Sequence, residues 1–206
     1  MDKLLKFYIN GEWVDPLSTD RMPVLNRASV ELVVEVALGG EADVDRAVSA
    51  AAAAFAQFSL SSKAERLDLL ARIRAVTERR FEELAQAMRL EMGAPISMSR
   101  DAQADAAIGH LDGFVAALEK LEEQERFENG EVLLREPIGV CGLITPWNWP
   151  MNQVVLKVLP VIATGCTCVL KPSEHTPISA MLYAEILDEA GAVSYTHLTL
   201  PTNREV

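Results

Sequence analysis

Apolar and polar positions follow several different rhythms along this chain. In Phe7-Tyr-Ile-Asn-Gly-Glu-Trp-Val14, aromatic and branched residues flank Asn10-Gly11, the pair favoured in tight primed turns, and the segment predicts a β-hairpin. Pro16 to Asp20 reads as loop, and the weak acidic–apolar alternation from Val30 to Leu38 predicts a further strand ended by Gly39-Gly40. From Glu41 the period lengthens. Val44, Ala47, Val48, Ala51 and Phe55 share one helical face, with Glu41, Asp43 and Asp45 at the N-terminal end where the helix dipole favours acids. Ser62-Lys-Ala-Glu65 is a capping box. It opens a helix that turns Leu67, Leu70, Ile73, Phe81, Leu84 and Met88 inward and stops at Gly93-Ala-Pro95. A third helix is expected from Ser97 to Glu123, with Ala104, Ile108, Leu111, Val115, Leu118 and Leu121 on its apolar side. Its charge-rich end, Glu119 to Glu128, reads as a solvated helix end and loop, and Gly130 to Glu136 as a strand.

After Pro137 the pattern becomes strand, helix, strand, helix. Val140 to Ile144 is a short apolar run suited to a buried parallel strand, and Cys166 to Leu170 is a second. Helices are expected over Asn152–Ala163 and Pro177–Ala190. This alternation defines an α/β fold with a doubly wound parallel sheet, preceded by a β-hairpin and long helices. In such a sheet, ligands bind just beyond the carboxyl ends of the strands. Two strand ends therefore carry the candidate chemistry. The first is Thr145-Pro-Trp-Asn-Trp-Pro150, a stiff turn whose one amide side chain is Asn148. The second is Lys171-Pro-Ser-Glu174, an ammonium and a carboxylate three residues apart. Taken alone, the first is also what a proline-framed turn with two core-packed tryptophans looks like, and the second a polar turn after a strand.

Bulk properties narrow the field. The chain has 206 residues and a net charge of −11, which disfavours nucleic acid or anionic membrane as partner, since both need a basic footprint. No apolar run reaches the roughly 20 residues needed to span a bilayer, and the start is too short and too mixed for a secretory signal. Three cysteines, two of them inside one apolar run, suggest reduced thiols and a cytoplasmic location. Cys141, Cys166 and Cys168 read as core residues, because burial raises a thiol's pKa and keeps it inert. His110, His175 and His197 show no ligand spacing, so no metal site is expected.

The segment from Pro137-Ile-Gly-Val-Cys-Gly-Leu-Ile-Thr-Pro-Trp-Asn-Trp-Pro150 through Lys157, Pro160 and Gly165 to Val169-Leu-Lys-Pro-Ser-Glu174 and Pro177 resembles the aldehyde dehydrogenase family, in order and without a gap over about forty residues. Weaker likeness extends back through Gly40-Glu-Ala-Asp-Val-Asp-Arg46 to Phe7. The resemblance implies an NAD-dependent oxidoreductase that converts an aldehyde to a carboxylic acid through a cysteine thiohemiacetal. It implies that Asn148 stabilises the oxyanion and that Lys171 and Glu174 hold the adenosine ribose. Ser173 would lie alongside, with Thr145, Pro146 and Trp147 lining the cofactor. A carboxylate at the ribose repels a 2′-phosphate and favours NAD over NADP.

The resemblance also implies what this chain lacks. The family's thiol nucleophile and its water-activating glutamate lie downstream of the Lys-Pro-Ser-Glu region, so residues 1–192 read as a partial NAD-binding domain. Residues 127–137 read as an oligomerisation strand of a homo-oligomer. Val193-Ser-Tyr-Thr-His-Leu198 is what GTC TCT TAT ACA CAT CT encodes, which resembles a sequencing adapter, and residues 193–206 are expected to be a non-native tail. Two other classes stand beside this reading. One is a non-catalytic nucleotide-binding or interaction module, and the other an NADP-dependent semialdehyde dehydrogenase relative.

Overall fold

The computed structural model describes residues 2–192 and 196–198. A single helical turn of 3₁₀ type, Asp2–Leu5, leads into β1 (Phe7–Ile9) and β2 (Glu12–Val14), which pair antiparallel with Tyr8 opposite Trp13. Asn10 and Gly11 have φ of 54° and 77°, the doubly left-handed geometry of a type I′ turn, as their identities predict. A separate ribbon pairs β3 (Arg21–Leu25) with β4 (Leu32–Ala37). The helix α1 (Glu41–Phe58) follows, then α2 (Lys63–Arg79) and α3 (Phe81–Met92). A short turn α4 (Ile96–Met98) and a π-helical stretch, Ser99–Ala104, run directly into α5 (Asp105–Lys120). β5 (Gln124–Arg126) and β6 (Val132–Leu134) form an exposed antiparallel hairpin. The last part is β7 (Val140–Ile144), α6 (Pro150–Ala163), β8 (Thr167–Lys171), α7 (Pro177–Glu189) and β9 (Thr196–Leu198).

The main sheet has the order β2-β1-β9-β8-β7. β7, β8 and β9 are parallel, connected through α6 and α7, and β1 joins β9 antiparallel. The α/β expectation is met as a three-strand parallel core that the N-terminal hairpin extends. Successive residues of each strand face opposite layers. Phe7, Ile9 and Val169 pack against Ala47 and Ala51 of α1, whereas Tyr8 and Leu170 join the larger core of α2, α3, α5, α6 and α7. The period-2 geometry of strands thus places the sheet between two helical layers. Of the segment expected to be a non-native tail, Thr196–Leu198 forms β9 and the remainder lies outside the described residues.

Several expectations need correction. Val48 is 43% exposed, because α1 buries the line Asp43, Ala47, Ala51 and Phe58 instead. The single long helix breaks at Arg80 (φ −98°, ψ 14°), where Arg80 turns to Glu83 and Glu185. Gln124–Arg126 is a strand, not loop, because Glu131–Leu134 folds back onto it. β7 is parallel as expected but not fully buried. It is the sheet's edge, and Ile144 is 69% exposed. Helix α6 begins at Pro150, two residues earlier than expected, since proline at the first helical position forgoes no hydrogen bond.

Candidate functional site

Register brings the two predicted strand ends together. Ile144 of β7 lies opposite Lys171 of β8, and the Thr145 N–H donates to the Lys171 carbonyl at 3.1 Å, so the ladder continues one residue past β7. From this rung the two loops leave side by side at the carboxyl end of the parallel strands. The Thr176 hydroxyl ties them again by donating to the Trp147 carbonyl at 3.4 Å.

On the β7 side, Thr145 is buried while Pro146, Trp147, Asn148 and Trp149 are exposed. The tryptophans are 54% and 37% exposed, so neither belongs to the core. Trp149 has φ 80° and ψ 54°, a left-handed conformation that costs a residue with a Cβ and persists only where its surroundings impose it. Its carbonyl accepts the first bond of α6 from Gln153 at 3.0 Å. Among the described residues, Asn148 makes no hydrogen bond, so its amide is free to donate outward.

The β8 side is built more firmly. Lys171 Nζ lies 3.5 Å from Glu174 Oε2, with both side chains mostly buried. Burial acts most strongly on Glu174 and pushes its pKa up. Its backbone N–H bond and the neighbouring Lys171 ammonium help to outweigh that, and the net shift is down, so the carboxylate is ionised. Ser173 is buried, and its hydroxyl accepts from the His175 N–H at 3.2 Å while its carbonyl accepts from the Thr176 N–H at 3.2 Å. Pro177 then opens α7. An ion pair of this spacing offers a vicinal diol both a donor and an acceptor.

Sequence reasoning overlooked three neighbours of this loop. Glu91 of α3 is fully buried. It accepts from the Ile178 N–H at 2.6 Å, the Ser179 N–H at 3.2 Å and the Ser179 hydroxyl at 2.5 Å, and so holds the first turn of α7. Burial pushes its pKa up to about 7, against the opposing pull of those bonds. A signal was present: Glu91 continues the inward line Leu84, Met88 at helical spacing, an acid at a core position. Arg27 and His175 have no such signal, because only the tertiary fold brings them within 2.9 Å. With Glu91, Met92, Trp147 and Thr176 they line a cavity of about 400 Å³ directly behind the two loops.

The cysteines stand apart from this edge. Cys166 and Cys168 are buried, and burial drives the Cys168 thiol far up. Cys141 is raised too, by burial first and by Cys166 second, though it is only half-buried and lines an open pocket with Cys166. His110 of α5 pairs with Asn152 at 2.8 Å. Among the described residues, no group of three or more His, Cys, Asp or Glu is placed to hold a metal ion, and no helix is long and apolar enough to cross a membrane.

The fold that carries this edge is found among known proteins. The profile of the aldehyde dehydrogenase family matches residues 13–198, and the chain belongs to that family. It is 46% identical over 187 residues to a 3-succinoylsemialdehyde-pyridine dehydrogenase of a Pseudomonas species, covering 90% of this chain and 39% of that protein. A mutant of aldehyde dehydrogenase C from Pseudomonas syringae, solved with NAD+ and octanal, superposes with a TM-score of 0.92 at 48% identity, over 96% of this chain and 41% of that one. An aldehyde dehydrogenase from Bartonella henselae superposes with a TM-score of 0.90 at 44% identity, over 94% and 41%. The chain thus spans about two-fifths of the length of the relatives it matches.

Proposed function

We propose that this chain is the dinucleotide-holding part of an NAD-dependent aldehyde dehydrogenase that oxidises an aldehyde to a carboxylic acid. The observation that carries the reading is the shared rung of β7 and β8, from which the Asn148 loop and the Lys171–Glu174 loop leave side by side. Lys171 donates to the ribose hydroxyls and Glu174 accepts from them. Ser173 holds the turn between them, while Thr145, Pro146 and Trp147 flank the cofactor. The dinucleotide, when bound, supplies the hydride acceptor. The Asn148 amide donates to the carbonyl oxygen of the substrate as it gains negative charge, without bringing a charge of its own. An ionised Glu174 disfavours a 2′-phosphate, which supports NAD over NADP.

The three thiols of this chain do not suit the nucleophile's role. Cys166 and Cys168 are buried, Cys141 is half-buried with a raised pKa, and Cys141 and Cys168 lie within strands instead of beyond their carboxyl ends. We therefore assign the nucleophile and general base to the part of such an enzyme that lies outside the two-fifths of the relatives' length matched here. The 206-residue chain by itself is expected to bind dinucleotide without turnover. The exposed apolar residues of the β5–β6 hairpin, Val132, Leu133 and Leu134, support a role for residues 127–137 in pairing with a second copy.

In the full-length enzyme, Asn148→Ala should lower kcat about a hundredfold or more, the usual cost of losing one oxyanion donor. An unchanged kcat in a steady-state assay with aldehyde and NAD removes Asn148 from the mechanism. Nucleotide binding by a full-length protein that never reduces NAD would favour a non-catalytic module, and equal rates with NADP would favour the semialdehyde relative.

A further inference from the structure

We infer that Arg27, through His175, positions the Glu174 carboxylate for the ribose; this rests on the reading of Glu174 given above. Three contacts, one from the β3–β4 turn and two within the loop after β8, build the relay. Arg27 Nη2 lies 2.9 Å from His175 Nδ1, His175 Nε2 lies 3.8 Å from Glu174 Oε1, and Lys171 Nζ lies 3.5 Å from Glu174 Oε2. A guanidinium has hydrogens to donate and no lone pair to accept with. Nδ1 of His175 must therefore be the unprotonated acceptor. The ring proton then resides on Nε2 and faces Glu174, so the bond at one ring nitrogen sets the tautomer at the other. Lys171 donates to one carboxylate oxygen at 3.5 Å, and the His175 N–H faces the other at 3.8 Å, a dipolar contact just beyond hydrogen-bond distance. The carboxylate thus has a donor hydrogen facing it from two directions.

The arginine is held by its own turn. Asn26 Oδ1 accepts from the Ala28 N–H at 2.9 Å and the Ser29 N–H at 3.3 Å, an Asx-type arrangement that fixes the backbone around Arg27. The end of α3 presses on the same turn. Gly93 has φ 69°, and a Cβ there would stand 2.6 Å from the Ala28 nitrogen and 3.1 Å from the Arg27 carbonyl carbon. Only glycine permits this approach. The β3–β4 turn is thus docked behind the ribose loop with Arg27 aimed at His175. Arg27 itself is exposed, which keeps the expected effect modest.

The test uses the 206-residue chain labelled with ¹⁵N. Long-range proton–nitrogen spectra read the His175 tautomer, with His175→Gln assigning the signals. The wild-type ring should show an unprotonated Nδ1 and a protonated Nε2. Arg27→Met should populate the other tautomer or the imidazolium and weaken NAD binding by calorimetry about two- to fivefold, the range for an exposed charged contact. Arg27→Lys should retain most of both properties. A wild-type ring protonated at Nδ1, or an Arg27→Met variant with unaltered tautomer and unaltered NAD affinity, overturns the inference. Glu174→Ala separates the two levels. If it abolishes NAD binding while Arg27→Met is silent, the relay alone is wrong. If Glu174→Ala leaves NAD binding intact, the ribose reading fails, and the relay's purpose fails with it.

Discussion

The two arms of the candidate site differ in how they are held, although they start from one rung of the sheet. The β8 arm leaves a strand flanked on both sides, its residues mostly buried, and Glu91 clamps the helix that follows. The β7 arm leaves an edge strand. Its Trp147, Asn148 and Trp149 are exposed, and it is tied to the other arm by the Thr145 and Thr176 bonds. A buried, fully bonded loop is preorganised by its own chain, since ordering it costs no further entropy when a ligand arrives. An exposed loop held at its base has more freedom to lose. The ion-pair arm of the candidate site is therefore held firmly by this chain's own packing, and the amide arm is supported only at its root.

The largest expected effect contrasts the two strands directly. Leu170→Ala, in the core beneath the β8 arm, should cost about 2–5 kcal/mol, the loss of a buried side chain plus the cavity it leaves. Ile144→Ala, facing solvent on β7, should stay within about 0.5 kcal/mol. Denaturant unfolding of both variants measures this, and equal losses would erase the distinction between the arms. A pH scan probes the clamp next. Glu91 ionises near pH 7 when folded, above the ordinary 4.5 of a free carboxyl, so the folded state binds the proton more tightly. Its contribution is therefore complete below about pH 4.5 and is lost as pH rises through 7. Melting temperature should fall across that window, and Glu91→Gln should flatten the fall. An identical slope in the variant would clear Glu91 of responsibility.

The smallest expected effect lies in the turn that carries Arg27. Val30 has φ 62°, a left-handed conformation that a β-branched residue tolerates poorly. Val30→Gly should stabilise the chain by about 1 kcal/mol as this strain is released, less the added freedom of the unfolded glycine. No rise in thermal stability would mean that the turn pays nothing for its shape. A rise accompanied by a changed His175 tautomer would show that the strain helps to aim Arg27.

Much of the fold was legible from local patterns. Asn10-Gly11, the Ser62–Glu65 box and the runs before Thr145 and Lys171 each act within a few residues, where backbone preference and periodicity suffice. The cooperating residues behind the loop were not legible in the same way. Arg27 and His175 meet across 148 positions, and Glu91 meets Ser179 across 88. Burial also misled where periodicity alone was followed. Val48 has helical spacing but faces outward, and β7 has the apolar run of a central strand but stands at an edge.

The sequence by itself determined the order of the elements, the primed turn, the helix starts and the residue types available at two strand ends, because those depend on neighbours along the chain. Only the tertiary structure decided that β7 and β8 lie in a register joining those ends, that α3 supplies a carboxylate to the start of α7, and that a turn from the first thirty residues reaches His175. Such contacts depend on which surfaces remain to be covered once the elements pack, and that is a property of the whole chain.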